Sequence, residues 1–548
     1  MKALEKGVIR NLEVKNRIVM APMISNMANL DGSSNNNIAS YLEERARGGV
    51  GLIITEYTYV DNVNSRGSRN QLGAYSMSLV PKLRRITEGI HSHGARAFMQ
   101  LVHAGGKALW EENPEDPMAP SSVDYMGRKP REMSQEDIEK VIGSFRNAAR
   151  VARAAKFDGV EIHGAHGYLV HQFLSPKLNR RSDAYGGTFE NRLRFPQEVI
   201  DAIRSEGDFP LGIRLSLYED DPDGWNEEYG LRIAESLRDI DYVHFSAGNF
   251  NPPGSSASFY SPETHILRRL RRKPNITAML VGSITDSAGI ERVLSVVDFA
   301  VIGRGLLADP YLPMKLSKDP GLVRPCTRCN QACRDLSLGE VRCTVNPDLG
   351  REFERVGKYR GGITIIGGGI QGLEAALYAA KSGLNVRVYE KEEKIGGQLN
   401  KIYDPYKKRA FEPLLKYYEN SFKLIGVEVE TDSSYRGSGI ECLPPVTYPA
   451  PPEEGDTFLS NVYQSHDEFL RISERKRIKV GIGSLDSLDR ARRVGYLALA
   501  KEKGIEVGEF DSYDFVLMVS DQYDIGAAMK LGRAKVMRFL AENGNEFL

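Results

Sequence analysis

A chain of 548 residues is longer than one hydrophobic core usually organises, so two or three domains are expected. Its 73 basic and 73 acidic side chains cancel, which leaves no positive excess that would favour nucleic acid as a partner. No apolar run reaches the roughly 18 residues of a membrane-spanning helix, and the N-terminus lacks the apolar stretch of a secretory signal. These features argue against a membrane or nucleic-acid partner and predict a soluble, cytoplasmic protein.

Short β-rich segments alternate with amphipathic helical stretches between residues 18 and 305. The candidate strands are residues 18–20, 52–55, 97–101, 159–163, 212–217, 242–245, 278–281 and 299–302. Eight strands with crossover helices predict an α/β fold whose N-terminal part, residues 1–316, is a closed (β/α)8 TIM barrel. The active site of such a barrel is expected at the carboxyl ends of its strands.

The chain after the barrel divides into two further parts. Residues 317–360 show no sustained periodicity and hold four of the five cysteines, which predicts an irregular segment folded around a metal centre. Residues 361–548 open with a strand, a glycine loop, an Ala-rich helix and a second strand, the order of a dinucleotide-binding unit. The rest, including a β/α-looking stretch at 478–540, contains no second phosphate-binding glycine motif. This Rossmann-like domain is therefore expected to be atypical and truncated.

Two imidazoles and a phenol follow the fourth candidate strand, at His163, His166 and Tyr168. Both imidazoles can donate hydrogen bonds to one carbonyl oxygen and so polarise a conjugated alkene for hydride attack. The phenol can protonate the carbon beside that carbonyl. An isolated histidine pair at this spacing belongs to a packed loop or a metal site about as often as to a catalytic site. Its position at the end of a barrel strand favours catalysis.

The stretch EIHGAHGYLVHQFLSPKLNRRSDAYGGTFENRLRF, residues 161–195, closely resembles the corresponding segment of the Old Yellow Enzyme-like NADH:flavin oxidoreductases. The resemblance implies an FMN-binding barrel that reduces an activated C=C bond of an enoate, enone or enoyl-CoA thioester with electrons from NAD(P)H. It further implies flavin-contacting positions, which are Pro22, Met23, Gln100 and Arg214 at the isoalloxazine and Gly282, Ser283, Gly303 and Arg304 at the phosphate. Backbone N–H groups after strands seven and eight can form a phosphate nest, and Arg214 can balance the charge of a reduced flavin.

The clustered cysteines are Cys326, Cys329, Cys333 and Cys343, spaced as CxxCNxxC followed by CTVNP. Four thiolates suit an iron-sulfur cluster or a zinc ion equally well on chemistry alone. The pattern resembles the cluster segment of the multidomain subgroup that includes 2,4-dienoyl-CoA reductase, 2-enoate reductase and trimethylamine dehydrogenase. This resemblance implies a 4Fe-4S cluster, although the spacing between Cys333 and Cys343 is a little shorter here.

The glycine loop of the third part is Gly367-x-Gly369-x-x-Gly372, followed by Glu390 at the tip of the next strand. The glycines can admit a pyrophosphate at the start of a helix, and an acidic residue about twenty positions later can bind ribose hydroxyls. The following Gly396-Gly397-Gln398 resembles the FAD-side motif of the same subgroup, which implies FAD at this site.

Two alternatives to an ene-reductase stay open, an amine dehydrogenase and a non-catalytic flavin and iron-sulfur module that carries electrons. His163 favours the reductase, because amine-oxidising relatives resemble a version of the motif with Tyr at this position. Since a second nicotinamide motif is missing, electrons enter either from a redox partner protein or from NAD(P)H bound directly over the FMN, and we favour the direct route. We also expect a homo-oligomer.

Overall fold

The computed structural model describes residues 1–443 except 126, 220, 222, 249–264, 335, 337–338, 355 and 403–404, together with 479–481, 506–508 and 525–543. The strands are β1 (Gly7–Ile9), β2 (Leu12–Val14), β3 (Ile18–Met20), β4 (Leu52–Ile54), β5 (Thr58–Tyr59), β6 (Arg96–Val102), β7 (Met118–Ala119), β8 (Arg131–Glu132), β9 (Gly159–Gly164), β10 (Leu211–Ser216), β11 (Tyr242–Ser246), β12 (Thr277–Val281), β13 (Phe299–Ile302), β14 (Gly362–Ile366), β15 (Asn385–Tyr389), β16 (Glu428–Glu430), β17 (Ile440–Glu441), β18 (Lys479–Gly481) and β19 (Glu506–Gly508). The helices are α1 (Asn36–Arg47), α2 (Val80–Ser92), α3 (Gln135–Ala154), α4 (Leu169–Leu174), α5 (Phe189–Arg204), α6 (Glu227–Ser236), α7 (His265–Arg269), α8 (Ser287–Leu294), α9 (Arg304–Ala308), α10 (Leu312–Lys318), α11 (Ile370–Lys381), α12 (Pro405–Ile425) and α13 (Ile525–Glu542).

Eight parallel strands form a closed barrel in the N-terminal part of the chain. Their order is β4-β3-β13-β12-β11-β10-β9-β6, and an additional pairing of β4 with β6 closes the ring. The short strand β5 pairs with the end of β6. The predicted TIM barrel is confirmed, and each predicted strand agrees with the structure to within one residue at either end. Long amphipathic helices such as α3, whose first turn is stabilised by a capping box between Ser134 and Asp137, cover the outside.

An antiparallel hairpin of β1 and β2 closes the amino-terminal end of the barrel. Ile9 and Val14 of the hairpin belong to the same apolar cluster as Phe98 and Phe299 inside the barrel. Gly7 is required for this approach, because a Cβ atom there would lie 2.5 Å from the Phe299 ring. Within the described residues, the hairpin therefore covers the amino-terminal end of the barrel and leaves the carboxyl ends of the strands as its open end.

A second parallel sheet, in the order β16-β15-β14-β17, follows the cysteine segment. Helix α11 connects β14 to β15 and packs against α12 and α13. This arrangement confirms the predicted Rossmann-like part. Of the predicted β/α stretch at 478–540, the structure describes the parallel pair β18 and β19 and helix α13, and the rest of that stretch lies outside the described residues. Among the helices of the described residues, none combines the length and the apolarity needed to cross a bilayer.

A buried ion network connects the cysteine segment with the helices of the Rossmann-like part. The carboxylate of Glu374 on α11 accepts hydrogen bonds from Arg324 (3.0 Å), from Arg533 Nε on α13 (2.8 Å) and from the Tyr418 hydroxyl on α12 (2.6 Å). Glu374 is fully buried. One acidic side chain therefore holds three helices and the segment at residue 324 in a fixed arrangement.

Candidate active site

The predicted catalytic side chains converge at the open end of the barrel. His163 lies in β9, His166 follows it, and Tyr168 is the N-cap residue of α4. The ring centroids of His163 and Tyr168 lie 4.7 Å apart, and those of the two histidines 5.3 Å apart. His166 has a φ of 59°, a strained backbone conformation that residues other than glycine rarely adopt.

Both histidines are neutral near pH 7. Burial, followed by the positive charges of Arg214 and Lys107 among its causes, lowers the pKa of each imidazole well below its ordinary value. The Nδ1 atom of His163 accepts a hydrogen bond from the Ala165 N–H at 3.2 Å, so its remaining proton lies on Nε2. His166 Nε2 forms a hydrogen bond with Ser246 Oγ at 2.7 Å. The site therefore offers a neutral N–H donor at His163.

Three further side chains belong to this site, and the sequence argument missed them. Lys107 Nζ lies 4.7 Å from the ring centroid of Tyr168 and donates to the backbone oxygen of His166 at 2.9 Å. Tyr57 packs against Tyr168 with ring centroids 5.2 Å apart. Ser246, at the end of β11, contacts His166. In the sequence, these residues are marked only by their position at or shortly after the end of a barrel strand, which many structural residues share.

The residues predicted at the isoalloxazine lie inside the barrel close to the histidines. Gln100 Nε2 donates to the Glu161 carboxylate at 2.6 Å, while Gln100 Oε1 is buried without a partner in the described residues. Arg214 donates to the backbone oxygen of Pro22 and to Ser246 Oγ, each at 3.3 Å, and its Nε has no partner in the part of the chain that the structure describes. Buried polar atoms without partners are rare in a folded protein, and these are the atoms that a polar flavin edge would satisfy.

The predicted phosphate positions lie together on the loops that follow β12 and β13. Gly282 and Ser283 have φ angles of 149° and 49°, so the backbone turns sharply there. The Arg304 guanidinium donates to Ser283 Oγ at 3.1 Å. A Cβ atom on Gly303 would lie 3.0 Å from the sulfur of Met23, which brings the loop after β3 to the same place. These residues fit a phosphate nest with an arginine beside it.

The four clustered cysteines are held within a largely buried segment. Burial is the largest cause that raises the thiol pKa of Cys326, Cys333 and Cys343, and the neighbouring thiols raise it further, to about 12 for Cys333. Cys329 Sγ donates to Thr344 Oγ1 at 3.3 Å. Within the described residues, no group of three or more His, Cys, Asp or Glu side chains is placed to hold a metal ion.

This cysteine segment lies against the loops that carry the predicted flavin positions. Asn330 accepts a hydrogen bond from Arg304, and Arg328 donates to Thr285 Oγ1 at 3.1 Å. The Val341 N–H donates to the backbone oxygen of Ser25 at 2.8 Å. The segment therefore contacts the rim of the barrel at strands β3, β12 and β13.

The glycine loop adopts the geometry that its sequence requires. Gly367 has a φ of 105°, and a Cβ on Gly372 would lie 1.8 Å from the Gly367 oxygen, so neither position accepts another residue. Gly369 begins α11 with open space around it. The Glu390 carboxylate accepts the Gly368 N–H at 2.7 Å. Gln398 lies in the turn Gly397–Lys401, which is held against the glycine loop by the hydrogen bond from Gly396 N to the Gly368 oxygen (2.8 Å).

Comparison with known proteins agrees with both parts of the structure. Residues 8–321 match the NADH:flavin oxidoreductase / NADH oxidase family, and residues 365–413 match an NAD(P)-binding Rossmann-like domain. The chain is 36% identical to the NADH oxidase of Thermoanaerobacter brockii over 464 residues, which cover 80% of this chain and 71% of that protein. It is 34% identical to the cinnamate reductase of Clostridium sporogenes, covering 77% of this chain and 69% of the relative.

A solved structure of 2-naphthoyl-CoA reductase shares the fold at a TM-score of 0.83 and 23% identity, covering 95% of this chain and 89% of that one. The family match and the similarity to the NADH oxidase show that this chain is a flavin-dependent, NAD(P)H-linked oxidoreductase. The chain therefore belongs to the NADH:flavin oxidoreductase / NADH oxidase family, in a multidomain form that carries an NAD(P)-binding Rossmann-like domain behind the barrel.

Proposed function

We propose that this enzyme reduces the activated C=C bond of an enoate, enone or enoyl-CoA thioester with electrons that pass from NAD(P)H through FMN. The observation that carries the proposal is the convergence of His163, His166 and Tyr168 at the open end of the barrel, beside the unpartnered polar atoms of Gln100 and Arg214. The similarity to a cinnamate reductase supports the same type of reaction.

The side chains take distinct roles in this reaction. Bound FMN supplies the hydride to the β-carbon of the substrate. The neutral imidazoles of His163 and His166 bind the carbonyl oxygen and draw electron density from the alkene, which makes the β-carbon electrophilic. Tyr168 gives a proton to the α-carbon, and the ammonium of Lys107 near its ring stabilises the phenolate that remains.

The FMN would be held at two places. At the isoalloxazine we assign Pro22, Met23, Gln100 and Arg214, and at the phosphate Gly282, Ser283, Gly303 and Arg304. The guanidinium of Arg214 is buried, so its charge acts strongly on the electron-rich reduced flavin. Arg304 and the turn at Gly282 supply the positive charge and the backbone N–H groups that a phosphate requires.

We assign a 4Fe-4S cluster to the ligands Cys326, Cys329, Cys333 and Cys343 of residues 317–360. The burial of the thiols and their mutual effect on each other's pKa support a shared centre. Because the ligands of this cluster bind four different iron atoms, they need not lie as close together as the ligands of one ion. A cluster held by these cysteines would supply single-electron chemistry, and Asn330, which accepts a hydrogen bond from Arg304, joins this segment to the proposed phosphate site.

In residues 361–548 we assign FAD to the glycine loop of Gly367, Gly369 and Gly372, with Glu390 at the ribose and Gln398 beside it. The open space at Gly369 and the helix start behind it fit a pyrophosphate. Residues 1–316 form the FMN barrel in this assignment. Electrons enter when NAD(P)H binds over the FMN, and entry from a redox partner through the cluster is the alternative.

The experiment that tests this function is anaerobic turnover of cinnamate, a small cyclic enone, an enoyl-CoA thioester and two primary amines by the full-length protein. Saturation of at least one C=C bond, with NADH or NADPH consumed in equal amount, is expected. Oxidation of the amines without reduction of any alkene would replace the proposal with an amine dehydrogenase. Failure of every substrate with a flavin that NAD(P)H reduces normally would favour an electron-carrying role.

A further inference from the structure

A carboxylate network inside the barrel lies one layer further from the open end than the catalytic histidines. Glu161 on β9 is bound by Gln100 Nε2 at 2.6 Å, by the Tyr242 hydroxyl at 3.2 Å and by His244 Nδ1 at 3.0 Å. All four side chains are fully buried. The mechanism above uses only one of them, Gln100, so the purpose of the other three groups is open.

The register of the barrel strands explains why these groups meet. Gln100 on β6 lies opposite Glu161 on β9, and Arg214 on β10 lies opposite both His163 and His244. Gly212 lies between Glu161 and Tyr242 in the register, and a Cβ there would lie 2.2 Å from the Tyr242 ring. The glycine thus makes room for the Tyr242 ring beside Glu161.

Glu161 is also the acidic group that acts on Arg214. No carboxylate lies within 4.0 Å of the Arg214 guanidinium among the described residues. Burial lowers the pKa of Arg214 to about 10, and the negative charge of Glu161 acts in the opposite direction. The two opposite charges are both buried, so they influence each other and any bound group more strongly than they would in water.

The unpartnered atoms of the network indicate the direction in which it acts. Among the described residues, Gln100 Oε1, Arg214 Nε and His244 Nε2 are buried without hydrogen-bond partners. Because Glu161 requires a donor, the amide nitrogen of Gln100 faces it, and the amide oxygen is left to accept a hydrogen bond on the other side. The pyrimidine edge of an isoalloxazine carries an N–H group that can donate to this oxygen.

We propose that Glu161 is a positioning residue of the flavin site, which fixes the orientation of the Gln100 amide and, by its charge, lowers the reduction potential of the bound FMN. The inference rests on FMN binding in the proposed function. Arg214 favours the electron-rich reduced flavin, and Glu161 opposes this effect because the reduced form gains negative charge. Tyr242 and His244 hold the carboxylate in place, since each forms a hydrogen bond with it.

The test is the midpoint potential of FMN in the full-length holoprotein, measured by equilibration with reference dyes under anaerobic conditions and without substrate. The substitution Glu161→Gln removes the negative charge of the carboxylate and permits the amide of Gln100 to turn. We expect reduced FMN to bind at least about tenfold more favourably relative to oxidised FMN than in the wild type, a shift of about +30 mV for a two-electron couple. Where the flavin dissociates, the dissociation constants of oxidised and reduced FMN give the same ratio.

Glu219→Gln is the matched control. Glu219 is equally buried and also binds a histidine, His171, at 2.9 Å, but it lies in the loop after β10. Its replacement should leave the flavin potential unchanged. If only Glu161→Gln fails to fold, Glu161→Asp is measured, and weaker FMN binding with an unchanged affinity ratio is expected because the charge stays and the reach to Gln100 is shortened.

A wild-type potential in Glu161→Gln, or wild-type FMN binding in Glu161→Asp, would overturn this inference and leave the proposed function intact. Equal shifts in Glu161→Gln and Glu219→Gln would also overturn it, because the effect would then be general. A wild-type protein that binds no FMN would overturn both proposals. A wild-type protein that reduces no alkene, together with the expected shift in potential in Glu161→Gln, would instead refute only the proposed reaction.

Discussion

Removing the hydroxyl of Tyr168 in Tyr168→Phe should separate the two halves of the catalytic cycle. The phenyl ring keeps its packing against Tyr57 and His163, whose centroids lie 5.2 and 4.7 Å away, so the shape of the site is retained. Only the proton donor is lost. Loss of a general acid typically slows the step that needs the proton by about 10²- to 10⁴-fold. This corresponds to about 3–5 kcal/mol of transition-state stabilisation.

Stopped-flow absorbance of the flavin measures each half-reaction under anaerobic conditions. Reduction by NAD(P)H needs no proton from Tyr168 and should proceed at the wild-type rate. Reoxidation by an enone should slow by the factor given above. Tyr57→Phe removes a neighbouring phenol from the same aromatic group and serves as the control, with little change expected in either step. Reoxidation of Tyr168→Phe within about threefold of the wild-type rate would refute the assignment of the proton donor.

The remaining predictions concern ligand binding, metal content, stability and pH. His163→Ala and His166→Ala should each weaken the binding of phenols at the flavin, seen as a smaller charge-transfer band, and unchanged bands in both variants would refute carbonyl anchoring. Anaerobically purified protein should contain iron and sulfide in equal amounts, and stoichiometric zinc without iron would contradict the cluster assignment. Glu374→Gln should lower the free energy of unfolding by about 3–5 kcal/mol in urea, whereas Glu428→Gln, which breaks an exposed pair, should change it by less than about 1 kcal/mol. Folding lowers the pKa of His163, so below pH 6.5 the unfolded chain binds more protons than the folded chain. The free energy of unfolding therefore decreases as the pH decreases, by about 1.4 kcal/mol for this group at pH 5.5. His163→Asn should reduce that pH dependence, and an identical dependence in the variant would contradict the burial of a neutral imidazole.

The barrel could be predicted because the buried strands of a parallel sheet are short apolar runs that stand out from the helices between them. All six residues of β9 are buried, for example, and the sequence places this strand correctly. The proximity of His163, His166 and Tyr168 was predictable for a similar reason, since they follow one another along a single segment. Local patterns of this kind are visible before the fold is known.

Contacts between distant segments could not be predicted in the same way. Ser246 lies 80 residues from His166, yet the two share a hydrogen bond. Glu161 precedes the catalytic motif directly, but in the sequence it resembles any polar residue within a strand. Its proposed role depends on Gln100 and His244, which the closed barrel brings beside it. The Rossmann-like part was predictable from a local order of strand, glycine loop, Ala-rich helix and second strand, and Gly367 in that loop has a φ of 105°, which other residues rarely adopt.

The hairpin at the amino-terminal end of the barrel has a consequence for the order of the reaction. With that end filled by Ile9 and Val14, the nicotinamide and the unsaturated substrate of the proposed reaction would both reach the flavin from the carboxyl ends of the strands. Tyr168 and the two histidines lie together at these strand ends, so the two molecules of the proposed reaction would compete for one space. The oxidised nicotinamide must then depart before the alkene enters. Steady-state kinetics should accordingly follow a ping-pong scheme, in which each substrate at high concentration inhibits the step that belongs to the other.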